Sequence, residues 1–215
     1  MRVRKALAMA LDRGSITKNV TKGEQMPALF FTPPGVAGYT ARARIEENID
    51  KARQLLAEAG YPGGNGFPAD FEYLFNSSPL NKNIAVELQR MWRETLGIQV
   101  KLRQAEHKVY LAAQSALDYH ITRSSWIGDY NDPNTFLDMW VTDGGHNNTG
   151  WSSARYDELI KLAAAESDPQ KRFEYFHECE KILAEEMPVI PIYIYVRLSL
   201  IHISEPTRRY AISYA

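Results

Sequence analysis

One short segment of the sequence, residues 123–133, combines a cation, an aromatic ring and carboxylates. Arg123 can pair with a carboxylate, Asp129 can pair with an ammonium group, and Trp126 can cover the apolar groups between them. This set of side chains suits a zwitterionic ligand. Structural interpretations are also open, because Asp129 or Asp132 can cap the following helix and Trp126 can belong to the core.

Strand and helix patterns alternate along the chain, and they place this segment directly after a strand. We predict strands near residues 71–75, 98–102, 119–125 and 189–196, and helices near residues 2–11, 50–59, 81–96, 107–116, 154–166 and 168–186. This alternation indicates the α/β fold class. In open α/β sheets, ligands bind outside the carboxyl ends of the strands, which is where the segment would lie.

The composition argues against several functional classes. Lys and Arg total 25 against 26 Asp and Glu, so no basic excess exists to bind nucleic acid. The chain has one cysteine, Cys179, and none of its five histidines has a His or Cys partner at metal-ligand spacing. The sequence has no phosphate loop, dinucleotide-binding glycine motif, nucleophile elbow or HExxH motif. We therefore expect no metal site and no cofactor.

Five stretches of the sequence, in unbroken order from about residue 2 to residue 197, resemble one protein family. They are Val3–Arg13, Pro33–Gly35, Ala52–Gly60, Arg123–Pro133 with the following Thr135–Leu137, and Pro191–Tyr195. Together they resemble the oligopeptide-binding proteins of ABC importers. These belong to a large family of extracytoplasmic solute-binding proteins that includes dipeptide-, nickel- and heme-binding members.

The resemblance implies a fold and a function. Family members are two-lobed clamps more than twice as long as this chain, so we expect residues 1–197 to form mainly the C-terminal lobe of an α/β, periplasmic-binding-protein-like clamp and to end in the strand that crosses to the other lobe. The implied activity is binding of oligopeptides for uptake, without catalysis. The implied partner is an ABC permease complex in the membrane. We expect a monomer, periplasmic or membrane-anchored outside the cell, whose signal peptide lies outside this sequence.

The resemblance also assigns roles to residues by position. Asp129 matches the carboxylate that holds the peptide α-ammonium, and Arg123 matches a cation for the peptide carboxylate. Trp126 matches a residue that lines the peptide channel. Asn76 and Asn147 match polar pocket positions, although they can equally be turn and loop residues. Much of the peptide contact in this family is backbone pairing in the manner of a β-strand.

Other positions are less certain matches or depart from the family. Tyr195 matches a tyrosine near the hinge strand, although it can equally be a core residue. His107 stands where a tryptophan would line a pocket, Gln114 where a second arginine would be, and Asn81 where a histidine would be. These departures concern the preferred peptide length and side chains. They leave the ammonium clamp intact.

The resemblance stops after Arg197. The run Leu198–Arg208 resembles a translated sequencing adapter. We therefore expect residues 198–215 to be a non-native tail that lies outside the fold.

Two alternative functions remain open at this point. The first is a member of the same family that binds a nickel chelate, heme or another non-peptide solute. The second is a small α/β enzyme in which Asp129 acts as acid or base together with His107 or His146.

Overall fold

The computed structural model describes residues 1–23, 25–199 and 207–214. Its helices are α1 (Arg2–Met9), α2 (Arg13–Ser15, continued by a π-helical turn over Ile16–Thr21), α3 (Ile49–Glu58), α4 (Pro79–Leu96), α5 (His107–Ser115), α6 (Asn134–Leu137), α7 (Ala154–Ala165) and α8 (Pro169–Glu186). Its strands are β1 (Met26–Pro27), β2 (Glu72–Asn76), β3 (Lys101–Ala105), β4 (Ile121–Thr122), β5 (Ser124–Ile127), β6 (Pro191–Ser199) and β7 (Thr207–Tyr214). In the part of the chain that the structure describes, no helix has the length and apolar character needed to cross a membrane.

The first sheet is parallel, with the strand order β3-β2-β4. Its register begins with Glu72 of β2 opposite Lys101 of β3. The strand predicted over residues 98–102 is therefore shifted toward the C-terminus. Ile98 and Val100 are buried in the core, but they precede the region where β2 offers a partner strand. The alternation of apolar residues here arises because the side chains are buried, and it does not mark residues that pair with a neighbouring strand.

Helix α4 joins β2 to β3, and local signals in the sequence fix its ends. The Ser78 hydroxyl accepts a backbone N–H of the first turn, and Pro79 occupies the first helical position. Gly97 ends the helix in the left-handed conformation. The helix packs against α1 through Trp92, whose buried indole N–H donates to the Leu7 carbonyl oxygen at 2.9 Å.

The strand predicted over residues 119–125 is two strands that belong to different sheets. β4 pairs with β2 in the parallel sheet. β5 pairs with β7 in a second, antiparallel sheet of order β1-β6-β7-β5. The chain therefore passes from one sheet to the other at Arg123. Among the described strands, β5 lies at the edge of the second sheet, so one side of its backbone has no partner strand there.

Two large clusters of buried apolar side chains, and a small third one formed by Leu74, Tyr110 and Ala113, make up the interior of the described part of the chain. The first core lies under α1, α3, α4 and the parallel sheet, and Trp92 and Tyr73 are among its largest members. The second core lies between the irregular segment 28–45 and helices α6, α7 and α8, and its largest members include Trp140 and Tyr156. Strand β6 joins the two clusters, because its buried side chains contribute to both.

The segment 198–215 is partly described. Leu198 and Ser199 end β6, and Thr207–Tyr214 form β7, which pairs with both β6 and β5. This differs from the expectation that the segment lies outside the fold, because antiparallel pairing with two strands places β7 inside a sheet. Residues 200–206 and 215 lie outside the described residues. The adapter-like origin of the segment stays a prediction.

Candidate functional site

Three of the predicted site residues lie at the carboxyl edge of the parallel sheet. Asn76 is the last residue of β2, His107 begins the helix that follows β3, and Arg123 follows β4. Because the three strands are parallel and adjacent, their carboxyl ends meet at one edge. The fold thus brings together residues that are far apart in the sequence.

Arg123 is fixed through its backbone and free at its charged end. Its N–H donates to the Leu74 carbonyl oxygen at 2.8 Å. Its own carbonyl oxygen accepts from the Tyr110 hydroxyl and from Gln114 Nε2, the latter at 3.2 Å. Among the described residues its guanidinium has no acidic partner, and its Nε is buried without a hydrogen bond.

The charge of Arg123 acts on two buried tyrosines, Tyr73 and Tyr110. Burial raises the pKa of Tyr73 and of Tyr110, and the positive charge of Arg123 opposes that rise in both rings. A cation near a low-dielectric wall and without a counter-ion favours an anionic ligand group.

Asp129 lies beyond the end of β5 and presents an exposed carboxylate. Its backbone N–H donates to Thr135 Oγ1 at 3.0 Å, which fixes the turn. Within the described part of the chain, its carboxylate has neither a hydrogen bond nor an ion pair. Burial raises the pKa of nearby Asp138, His146 opposes that rise, and the charge of Asp129 adds to it. Asp129 thus offers a negative charge without a counter-ion among the described residues, which suits a cationic ligand group.

The other aspartate of the segment, Asp132, has a different environment. One of its carboxylate oxygens accepts from the Asn134 N–H at 2.9 Å, which caps the first turn of α6. Both oxygens also pair with the guanidinium of Arg172. The capping interpretation that the sequence left open for both aspartates therefore applies to Asp132.

Trp126 lies on the inner face of β5. Side chains of β5 alternate, so Ser125 and Ile127 are exposed whereas Trp126 is half-buried against the second core. Its ring is tilted against His146 at a centroid distance of 4.7 Å, and its buried indole N–H has no hydrogen-bond partner in the described residues. His146 also lines a cavity of about 270 Å³, together with Gln114 of α5 and Ser124 of β5. Trp126 thus faces away from the side on which Ser125 and Ile127 lie.

The asparagines at the two predicted pocket positions are held by local hydrogen bonds to different extents. Asn76 accepts from Asn81 Nδ2 at 2.9 Å through its side-chain oxygen, and its own Nδ2 has no partner in the described residues. Asn147 donates to three carbonyl oxygens of its own loop, at 3.0 to 3.2 Å, and accepts from Thr149. Its side chain organises the loop, which agrees with its alternative interpretation. We do not include Asn147 in the proposed site.

The remaining predicted residues occupy the rim and the second sheet. His107 is exposed at the start of α5, with its ring stacked over Tyr110 at 6.1 Å. Tyr195 is half-buried in β6, where it packs against the first core and its backbone pairs with β7. Sequence reasoning did not assign Tyr110 to the site and treated Gln114 only as a departure from the family. No local signal links either residue to the Arg123 carbonyl, because that contact depends on how α5 packs.

A family model and a curated relative match most of this chain. The model for bacterial extracellular solute-binding proteins, family 5, matches residues 1–148. The chain is 37% identical over 201 residues to the oligopeptide-binding protein OppA of Bacillus subtilis. The aligned region covers 90% of this chain and 37% of that protein.

Two further comparisons extend this picture. The chain is 36% identical over 199 residues to the probable deoxycholate-binding periplasmic protein YgiS of Escherichia coli, with 90% of this chain and 37% of that protein covered. The solved structure of the Escherichia coli murein tripeptide binding protein MppA superposes with a TM-score of 0.83 at 32% identity, covering 98% of this chain and 40% of that chain. The chain spans about two-fifths of the length of the relatives that it matches.

The solved relatives are two-lobed periplasmic binding proteins, which confirms the expected α/β fold class and its relation to a two-lobed clamp. The family consists of solute-binding proteins, so the expectation that the chain is not an enzyme is also confirmed. The chain belongs to the bacterial extracellular solute-binding proteins, family 5.

Proposed function

We propose that this chain supplies one wall of the peptide site in a protein that delivers oligopeptides to an ABC importer. The observation that carries the proposal is the pair of opposite charges at the two ends of β5. Asp129 has a carboxylate and Arg123 a guanidinium, and neither is neutralised by a described residue of the chain. A free peptide carries the complementary pair of charges at its own ends.

The backbone of β5 provides the surface between the two charges. Because β5 is the edge strand of its sheet, an extended peptide can add to the open side of Ser124–Ile127 through main-chain hydrogen bonds. Arg123 and Asp129 are at most about 22 Å apart along the backbone. That span suits an extended peptide of roughly three to six residues. Main-chain pairing gives affinity with little dependence on the peptide's side chains.

The carboxyl edge of the parallel sheet adds to the attraction for the peptide carboxylate. Helices α4 and α5 both begin at this edge. The positive ends of their dipoles therefore lie at the same edge of the sheet as the positive charge of Arg123. The Nδ2 group of Asn76 is a further donor there. This electrostatic arrangement favours a peptide antiparallel to β5, with its ammonium at Asp129.

The mechanism is capture without chemistry. In the complete clamp the peptide would lose water as the second lobe closes over it, and the closed form would dock on the permease. We place the protein outside the cytoplasm, as its relative YgiS is a periplasmic protein, and we expect it to be a monomer. Because the wall formed by this chain covers only one side of the peptide, we expect the 215-residue chain alone to bind weakly.

The test is a titration of the isotope-labelled chain followed by NMR, with tetra-alanine, its N-acetyl form and its C-terminal amide as probes. We expect the amides of β5 and Asp129 to shift at millimolar peptide. Acetylation should weaken binding at least about tenfold, because a charge-assisted hydrogen bond is lost. Asp129→Asn should remove this preference for a free ammonium.

The C-terminal amide is the matched control. Asp129→Asn should keep the wild-type preference for a free carboxylate, because Arg123 lies at the other end of β5. Arg123→Met should lose that preference and keep the preference for a free ammonium. The proposal would be wrong if wild type failed to distinguish the three peptides, or if binding were unaffected by Asp129→Asn.

One comparison favours a second candidate, a non-peptide solute. The relative YgiS is named for binding deoxycholate, which carries a carboxylate and no ammonium. A ligand of that kind would engage Arg123 and leave Asp129 unused. The same titration with deoxycholate separates the two candidates, because this second candidate requires binding that Asp129→Asn leaves unchanged.

A further inference from the structure

The turn that carries Asp129 is tied to helix α8 by one ion pair. Arg172 of α8 donates from both terminal nitrogens to the carboxylate of Asp132, with one of the two bonds at 2.9 Å. Each of the two side chains is 24% exposed, so the pair is partly shielded from water. Bidentate pairs of this kind fix orientation as well as distance.

The guanidinium of Arg172 is itself held rigidly. Its Nε donates to the Ala163 carbonyl oxygen at 3.0 Å, and its Cζ lies over the ring of Phe176 at 4.8 Å from the ring centroid. The hydrogen bond to α7, the ion pair and the contact with Phe176 therefore hold the edges and one face of the group. A side chain held in this way is a fixed support for whatever it contacts.

A short series of hydrogen bonds leads from this support to Asp129. Besides binding Arg172, Asp132 accepts the Asn134 N–H with its side chain and the Thr135 N–H, at 3.2 Å, with its carbonyl oxygen. The hydroxyl of Thr135, a buried residue, then accepts the Asp129 N–H at 3.0 Å. Asn131 in the same turn accepts the Ala37 N–H at 3.0 Å.

We propose that Arg172 and Asp132 are positioning residues that hold the Asp129 carboxylate in place for the ligand's ammonium group. The two aspartates of the turn have different roles. Arg172 neutralises the charge of Asp132, whereas the carboxylate of Asp129 has no partner among the described residues. A carboxylate on a fixed turn loses little conformational entropy when it binds a cation, so its preference for a charged ligand end is larger. This inference rests on the proposed function.

The first measurement needs no ligand. In Arg172→Met and in Asp132→Asn, we expect amide hydrogen exchange at Asp129 and Asn134 to accelerate by about tenfold or more, because the turn opens more often. Asp132→Asn keeps a side-chain oxygen for the Asn134 N–H, so it is the milder variant if Arg172→Met disturbs the fold. Unchanged exchange in both variants would overturn the inference.

The matched control is a second bidentate pair on the same helix. Arg42 and Glu174 form two bonds at 2.6 and 2.7 Å, but this pair is exposed and ties α8 to the segment 28–45 instead of the turn. Arg42→Met should leave exchange at Asp129 unchanged. Acceleration there equal to that in Arg172→Met would mean that the effect is general to α8, and the inference would be wrong.

The second measurement is the ratio of dissociation constants for N-acetyl tetra-alanine and tetra-alanine. Arg172→Met should reduce this ratio at least about fivefold toward one, while Arg42→Met keeps it. A wild-type ratio of one would contradict the proposed binding of the ammonium by Asp129. The hydrogen-exchange result alone would then decide whether Arg172 and Asp132 hold the turn in place. A wild-type preference that both Arg172→Met and Asp132→Asn retain would contradict the positioning role alone.

Discussion

At the scale of single residues, a carboxylate without a cationic partner among the described residues lies in the second core. Glu180 is 2% exposed, and its oxygens accept the N–H groups of Phe31 and Thr32 at 3.1 and 2.7 Å. Burial raises the pKa of Glu180, and the bonds from Thr32 and Phe31 oppose that rise. The side chain fastens the segment 28–45 to α8, which in turn supports the turn of Asp129.

The raised pKa of Glu180 predicts how stability depends on pH. Because the folded state binds this proton more tightly than the unfolded state, the contribution of Glu180 to stability grows as pH falls through its raised pKa toward the ordinary value of 4.5. The free energy of unfolding of wild type should therefore rise relative to Glu180→Gln, by at most about 1.4 kcal/mol for each pH unit in that window. Urea unfolding at several pH values measures the difference.

Glu174 serves as the control for that prediction. Its hydrogen bonds with Arg42 lower the pKa of Glu174, so its contribution has the opposite sign and is lost as pH falls below 4.5. A difference between wild type and Glu180→Gln that stays constant with pH would contradict the assignment.

At the scale of elements, the end of α4 depends on the close approach of two turns. Gly97 has a φ of 72°, and a Cβ atom there would overlap the backbone carbonyl of Gly63. Gly60, after α3, also has a positive φ, of 95°, but a Cβ atom there would meet nothing within 4 Å. Comparing substitutions at the two glycines therefore separates the cost of a left-handed backbone conformation from the cost of steric overlap.

Substituting these glycines should have unequal costs. Gly60→Ala should lower the free energy of unfolding by about 1 kcal/mol, since only the left-handed conformation opposes it. Gly97→Ala should lower it by about 3 kcal/mol or more, because two backbone segments must also move apart. Urea unfolding of both variants measures the costs, and equal losses would contradict the described contact.

At the scale of the whole molecule, a buried arginine links distant parts of the chain. The Arg13 side chain is 0% exposed and donates to the carbonyl oxygens of Ala8 and Pro191 and to the carboxylate of Glu47. It joins the end of α1, the start of β6 and the segment that precedes α3. Burial lowers the pKa of Arg13, and Glu47 opposes that effect.

Removing the charge of Glu47 should therefore destabilise the whole unit. Glu47→Gln leaves the Arg13 guanidinium buried without an anionic partner among the described residues, at an expected cost of about 2–4 kcal/mol. Glu46→Gln is the control, because its ion pair with Lys51 is exposed and should contribute less than about 1 kcal/mol. Equal effects of the two substitutions in thermal and urea unfolding would contradict this role of Arg13.

Local signals were sufficient for much of the fold. Ser78, Pro79 and Gly97 mark α4, Asp168 caps α8, and the alternation of patterns indicates α/β. Such signals work because caps and periodicity depend on neighbouring residues. Strand limits were less predictable, as the shift from residues 98–102 to Lys101–Ala105 illustrates, because a strand exists only where a partner lies beside it.

The sequence by itself determined the family, the fold class and the segment that carries the candidate site. Only the tertiary structure decided which aspartate of that segment is neutralised and which is available to a ligand. Asp129 and Asp132 are equivalent as residue types, but Arg172, 40 positions from Asp132, neutralises one and not the other. Trp126 faces the second core because β7 and the turn set the orientation of β5. Charge pairing and side-chain direction depend on packing between distant segments, which neighbouring residues do not encode.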